Sequence, residues 1–120
     1  MNILDENIFP ASAGRWKRMA IERITAMYID DFIWLPDVVE KLVVKHHVTQ
    51  DEAEEVFFNH PQYRFVESGH RVGEDVDAAS GQTDAGRYLI VFFLLKPDHL
   101  ALILSARDMD RKERRQYERA

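Results

Sequence analysis

Arg107 is the residue best suited to phosphate chemistry. It follows the apolar run 100–104, which predicts a strand covered on both faces, so the arginine should stand where that strand leaves the core. A planar guanidinium donates two parallel hydrogen bonds to a phosphate group. The sequence therefore indicates a phosphate clamp at Arg107, and a salt bridge to Asp108 or Asp110 is the competing interpretation.

A short cationic helix is predicted directly after this strand. Asp110 and Glu113 have the spacing of a capping box, so the helix should begin at Arg111. Positive charge in its first turns opposes the helix macrodipole, so local stability does not explain these cations. They are Arg111, Lys112, Arg114 and Arg115.

Lys45 and His46 form a second group, at the predicted end of an earlier helix. That helix has an apolar stripe that should face the core. The stripe consists of Leu35, Val38, Val39, Leu42 and Val43. Basic residues at a helix C-terminus interact favourably with the dipole, so this pair taken alone favours a structural role. An imidazole can nevertheless carry a proton near neutral pH. The five histidines show no metal-ligand spacing with carboxylates, and no metal or cofactor is expected.

Together, these segments resemble the signature of BrnT-type toxins, members of the RelE-like ribonuclease superfamily. The C-terminal match is Ile-Leu-Ser-Ala-Arg at 103–107, followed by the basic run 111–115 and Tyr117. Upstream, Lys45 and His46 resemble the family's Lys-His-Gly segment, and Trp34 precedes His46 at the family's usual distance. The resemblance covers roughly residues 28–118.

The resemblance implies the toxin of a type II toxin–antitoxin system. Such a protein would be a cytoplasmic, metal-independent endoribonuclease that inhibits translation. Its expected partners are RNA and a ribbon-helix-helix antitoxin encoded beside it. The toxin and the antitoxin could assemble as a heterotetramer.

RNA cleavage without a metal uses the 2′-hydroxyl as nucleophile, which requires groups that move protons and groups that stabilise negative charge on phosphorus. The catalytic candidates are Lys45, His46, Arg107, Glu113 and Tyr117. The candidates for RNA binding are Arg87, Arg111, Arg114 and Arg115. Two of these assignments have alternatives, because Arg87 could simply flank the sheet and Tyr117 could pack its ring instead of stacking on a base.

The expected fold is α+β and RelE-like, with two N-terminal helices, a four-stranded antiparallel sheet and a C-terminal helix. Thr49 and Glu52 predict a capping box for the second helix, which Pro61 should terminate. Predicted strands cover 63–67, 75–82, 87–95 and 100–106, with turns at 83–86 and 96–99. Residues 30–34 read as a short strand or an extended lead-in. His47 stands where the family usually has glycine, a position that commonly adopts a left-handed conformation.

Composition is consistent with one domain of 120 residues, 46% of them hydrophobic, without cysteine. The longest apolar run, 88–95, is too short to span a membrane as a helix. A net charge of −5 is unusual for a protein that binds RNA. The charge is uneven: 107–120 carries six Lys/Arg against four Asp/Glu, a net +2, whereas 30–55 carries two against eight, a net −6. A local basic site on an acidic body is therefore expected.

Residues 1–26 lie outside the resemblance, which divides the chain into this extension and a toxin-like domain at 27–120. Trp16, Met19, Ala20, Ile24 and Met27 could form one apolar stripe of a helix. The extension is interpreted as a loosely docked helix, as a tail, or as the product of a start site upstream of Met27.

Three departures from the family pattern favour an alternative function. Leu102 occupies a position that is commonly basic, while Val38 and Leu42 replace polar residues. These changes would remove groups that could line an active site. The alternative is a non-catalytic binding module that keeps the antitoxin-binding surface.

Overall fold

The computed structural model describes residues 28–71 and 74–120. The predicted extension 1–26, including its apolar stripe, lies outside these residues. A five-stranded sheet organises the described chain, with strands β1 Asp31–Ile33, β2 Gln62–Glu67, β3 Val76–Gln82, β4 Tyr88–Lys96 and β5 Leu100–Asp108. Their order across the sheet is β1-β5-β4-β3-β2.

The expected sheet was wrong in one strand. β2 to β5 form the predicted antiparallel meander, but β1 adds a fifth strand in parallel to β5, with Phe32 opposite Ala101. The α+β class is therefore confirmed, and the sheet is mixed. The short strand, one of the two interpretations of residues 30–34, is confirmed, although three paired residues are too few to give a clear alternation of polar and apolar side chains.

Two helices lie between β1 and the meander, and a third follows β5. They are α1 Pro36–Lys41, α2 Gln50–Phe58 and α3 Arg111–Arg119. A π-helical turn, Leu42–His46, continues α1, and a 3-10 turn, Pro97–His99, joins β4 to β5. None of the helices in the described residues is long and apolar enough to cross a membrane.

One face of the sheet packs against α1, the π-helical turn and α2. Val91, Phe93, Ile103 and Ala106 project from β4 and β5 into this core, which also contains Val48, Val56 and Phe57. Leu42 is only 1% exposed there, and Val38 packs against the same cluster. Two of the three departures from the family pattern are thus core residues, and they remove no side chain from the candidate site described below.

The predicted apolar stripe of the first helix was only partly right. Leu42 is buried, but Leu35 and Val43 are 48% and 46% exposed. The backbone changes from α to π geometry at Leu42, and the wider turn rotates the later residues out of phase with the earlier ones.

The opposite face of the sheet is covered at one end by α3. Residues directly opposite on neighbouring strands share a face, and Ile90 of β4 lies between Ser80 of β3 and Arg107 of β5. Arg107 therefore points away from the main core and towards α3. β5 runs two residues beyond its predicted end, so Arg107 and Asp108 still belong to the strand and point to opposite faces.

Candidate active site

Arg107 is held by Glu113 through a two-pronged contact. Its Nη1 and Nη2 donate to the Oε1 and Oε2 atoms of Glu113 at 2.8 and 2.9 Å. Nη1 also donates to the Asp108 carbonyl at 3.1 Å, and the guanidinium lies 5.7 Å from the centre of the Phe92 ring. The competing interpretation, a salt bridge of Arg107, is therefore realised, but its partner is Glu113 and not Asp108 or Asp110.

This ion pair stabilises the charged forms of both groups. The hydrogen bond from Arg107 lowers the pKa of Glu113 to about 2, against desolvation and with help from the Asp110 backbone, Arg107's charge and Arg64. The same hydrogen bond raises the pKa of Arg107. At neutral pH Glu113 is a carboxylate and a weak base, which suits it to hold an arginine.

Two donors of Arg107 remain available. Within the described residues, no hydrogen bond is made by Nε or by the second N–H of Nη2. These two N–H groups lie on one edge of the guanidinium and form a fork that matches two phosphate oxygens. The side chain is 37% exposed, so an anion can reach it.

The cationic helix begins as predicted. Asp110 accepts a hydrogen bond from the Glu113 backbone at 2.8 Å, and the Glu113 side chain accepts one from the Asp110 backbone at 2.9 Å. Glu113 thus closes the capping box and binds Arg107 at once. Arg111, Lys112 and Arg115 are exposed. Arg114 is exposed as well and lies over the Tyr88 ring, 3.9 Å from its centre.

Tyr117 packs at the far end of this helix. Its ring meets Tyr88 edge to face, with centroids 5.9 Å apart, and its carbonyl accepts a hydrogen bond from Gln62 at 2.9 Å. Tyr88 in turn donates to Glu118 at 2.9 Å. These contacts fix α3 against the sheet while Tyr117 stays partly exposed.

Arg87 is engaged through all five of its N–H groups. Nε and Nη2 donate to the two carboxylate oxygens of Asp108 at 2.8 and 3.2 Å. Nη1 donates to the His47 carbonyl at 2.7 Å and to Glu52 at 3.2 Å, and Nη2 donates to the His46 carbonyl at 3.1 Å. The guanidinium therefore joins the π-helical turn, α2 and the end of β5, and no donor is left for a phosphate.

His46 and Lys45 occupy different surroundings. Asp108 has a lowered pKa, mainly through its hydrogen bond from Arg87, with a smaller contribution from the charges of His46 and His47. His46 therefore lies near the end of β5. Lys45 lies instead beside Asp37, Glu40 and Lys41, around a shallow depression on α1.

The predicted catalytic residues thus fall into three places. Arg107, Glu113 and Tyr117 share the α3 face of the sheet. His46 lies at the end of the same strand but beside Asp108, which points to the other face. Lys45 is not grouped with either set.

Sequence reasoning missed several residues of this site. Asp108, Glu52 and Gln62 make the contacts that fix Arg87 and α3. The sequence had indicated Asp108 only as a partner of Arg107 and Glu52 only as part of a capping box, and it gave no role to Gln62. Only the register between β4 and β5, with Leu89 opposite Asp108, reveals that Asp108 meets Arg87. Within residues 28–71 and 74–120, no group of three or more His, Asp or Glu side chains could hold a metal ion.

The chain matches one protein-family model. That model, described as "Ribonuclease toxin, BrnT, of type II toxin-antitoxin system", covers residues 34–113. The match therefore includes α1, the π-helical turn, the meander and the first turn of α3 up to Glu113. No curated protein matches the chain.

A solved structure has a similar fold. The crystal structure of the ribonuclease toxin BrnT of Brucella abortus aligns with a TM-score of 0.52 and 17% identity. The alignment covers 68% of this chain and 97% of the Brucella protein. At this identity the likeness establishes the fold alone.

Proposed function

Because the chain belongs to the BrnT family of ribonuclease toxins of type II toxin–antitoxin systems, we propose that it is a metal-independent endoribonuclease that inhibits translation in the cytoplasm. The arrangement of Arg107 carries the proposal. Glu113 fixes one edge of its guanidinium, while the Nε and Nη2 edge remains available beside an exposed cationic helix. A preorganised fork of this kind stabilises charge that develops on a phosphate.

The proposed reaction is an attack of the 2′-oxygen on the adjacent phosphorus. The P–O5′ bond breaks, which gives a 2′,3′-cyclic phosphate and a 5′-hydroxyl. A base takes the proton of the 2′-hydroxyl, and an acid gives a proton to the departing 5′-oxygen. Arg107 neutralises charge on the non-bridging oxygens, and Glu113 serves as its positioning residue.

His46 is the proposed proton carrier. Arg87 holds the His46 carbonyl at 3.1 Å and Asp108 through two further bonds, so it fixes the backbone that presents the imidazole. For both groups to act on one phosphodiester, that group must lie across the end of β5, where Arg107 approaches from one face of the sheet and His46 from the other. Tyr117 supplies a second hydroxyl for proton transfer or a stacking surface. The roles of Lys45 in catalysis and of Arg111, Arg114 and Arg115 in RNA binding remain predictions.

A toxin of a type II system acts together with an antitoxin. We propose that the partner is a ribbon-helix-helix protein encoded in the adjacent reading frame, assembled with the toxin as a heterotetramer. The exposed cations Arg111, Lys112 and Arg115 favour a partner with an acidic segment at this surface.

A second candidate function has one observation in its favour. All five donors of Arg87 and three of those of Arg107 are already engaged inside the protein. A non-catalytic binding module would retain such ion pairs for stability alone.

Incubation of the purified protein with single-stranded RNA in the presence of a metal chelator distinguishes the two functions. The endoribonuclease should release fragments with 2′,3′-cyclic phosphate ends. Protein that binds its antitoxin but leaves RNA intact, with and without ribosomes, would support the binding module.

A further inference from the structure

A cavity lies between α3 and the sheet, next to the Arg107–Glu113 pair. Its volume is about 420 Å³, which is within the usual range for small-molecule sites. Ile90 and Ser80 line it from β4 and β3, Gln62 from β2, and Glu113 and Tyr117 from α3. One carboxylate, that of Glu113, therefore belongs both to the wall of the cavity and to the ion pair.

The register of the sheet places the cavity beside the proposed phosphate clamp. Ser80, Ile90 and Arg107 are consecutive neighbours across β3, β4 and β5 on the same face. Two strand spacings, about 10 Å, separate the backbones of Ser80 and Arg107. The Arg107 side chain reaches towards α3, which shortens the distance from guanidinium to cavity further. One nucleotide can span such a distance between its phosphate and its base.

The lining suits a nucleobase. Tyr117 contributes an aromatic ring, and Gln62 and Ser80 contribute amide and hydroxyl groups that can bind the polar edge of a base. Gln62 donates from its Nε2 to the Tyr117 carbonyl, and within residues 28–71 and 74–120 its Oε1 has no hydrogen bond, so it can accept one from a base. Arg64 and Lys112 add positive charge to a lining that also contains the carboxylate of Asp110, and Arg64 is close enough to Glu113 to lower the pKa of that carboxyl group.

We propose that this cavity binds one unstacked base of single-stranded RNA, that of a nucleotide flanking the phosphate held by Arg107. The proposal rests on the proposed ribonuclease function. It adds that Gln62, Ser80 and Tyr117 determine which base is accepted, so that cleavage positions are selected by sequence.

Binding of mononucleotides tests the cavity independently of catalysis. The four 5′-mononucleotides are titrated into the full chain and followed by NMR. We expect one base to bind more tightly than the others, with shifts at Ser80 and Tyr117. Ser80→Val removes the hydroxyl group from the cavity wall and puts two methyl groups in its place, so it should weaken binding at least tenfold. Ser105→Val is the matched control, because Ser105 also lies on a strand of the α3 face but does not line the cavity.

A second pair of variants separates stacking from folding. Tyr117→Phe retains the ring and should keep mononucleotide binding, whereas Tyr117→Leu should lose it. Circular dichroism checks that both variants fold. Equal binding by Ser80→Val and the unmodified protein would overturn the proposal.

The cleavage pattern separates this proposal from the proposed function. If RNA is cleaved at the same positions by Ser80→Val, the base site is wrong and the ribonuclease stands. If mononucleotides bind at the cavity but no RNA is cleaved, the base site stands and the ribonuclease fails. Absent mononucleotide binding together with impaired antitoxin binding by Ser80→Val would assign the cavity to the partner and overturn the proposal.

Discussion

Glu113 has two tasks at the residue scale. Its backbone and side chain complete the capping box of α3, and its carboxylate holds Arg107. Glutamine can serve in a capping box but has no charge to offer an arginine. Glu113→Gln therefore separates the two tasks within one side chain.

We expect Glu113→Gln to lower the free energy of unfolding at pH 7 by about 1 to 2 kcal/mol, because a partly exposed charged pair contributes only modestly. The folded-state pKa of Glu113 is about 2, below its ordinary value of 4.5. Its contribution is therefore complete above about pH 4.5 and is lost as pH falls through about 2. Chemical denaturation from pH 7 to 2 should show the gap between variant and unmodified protein closing. A gap independent of pH would contradict the assignment, and the exposed Glu67→Gln serves as control.

The contacts of Arg87 indicate a structural role, whereas the sequence predicted that this residue binds RNA. Arg87→Ala leaves Asp108 and two carbonyls without their donor, so we expect a loss of about 2 kcal/mol in unfolding free energy. Arg87→Lys should not restore it, since an ammonium cannot reproduce the planar fork. The exposed Arg115→Ala should change stability little. Unchanged melting of Arg87→Ala would show that the bonds contribute nothing.

At the scale of elements, the π-helical turn ends in a residue with left-handed backbone. His47 has φ 55° and ψ 39°, and its backbone N–H donates to the Leu42 carbonyl. Only glycine adopts this conformation without steric cost. The interpretation of this position from the family's glycine was therefore right about the turn.

His47→Gly should raise stability by about 1 kcal/mol, or about 4 °C in melting temperature, and should keep RNA cleavage. The gain comes from the loss of steric strain at one backbone position. The residue 47 carbonyl that Arg87 binds is retained. His47→Ala keeps the strain and should give no gain. A fall in melting temperature for His47→Gly would show that a contact of the imidazole stabilises the protein by more than the removal of the backbone strain does.

Capping boxes, turns and strand patterns predicted most helices and strands, because these features depend on residues that are close in the sequence. Both capping boxes are formed, at Thr49 and at Asp110, and the four strands of the meander lie within two residues of their predicted bounds. The pairing of β1 with β5 and the contacts of Arg87 could not be predicted. They join residues up to 69 positions apart, such as Asp31 and Leu100, and depend on sheet register.

At the scale of the whole molecule, the distribution of charge matters more than its sum. The chain has a net charge of −5, yet α3 presents exposed Arg111, Lys112 and Arg115 together. Opposite charges across an interface mainly accelerate association. The cationic helix is therefore the surface at which we expect an acidic segment of the proposed antitoxin to arrive first.

Arg111→Glu together with Arg115→Glu should slow association with the adjacent-frame antitoxin about tenfold or more at low salt, and less at high salt. Stopped-flow mixing at several ionic strengths measures this. Arg71→Glu, an exposed charge reversal away from α3, is the control. Equal association rates for the double variant and the unmodified protein at low salt would place the partner elsewhere.

RNA cleavage by purified Arg107→Ala protein tests the phosphate clamp most directly. Loss of one preorganised donor group in an oxyanion-type site costs about a hundredfold or more in rate. We expect that loss in Arg107→Ala with the fold retained, and an unchanged rate in Arg119→Ala, an exposed arginine at the far end of α3. Cleavage by Arg107→Ala at the rate of the unmodified protein would contradict the clamp.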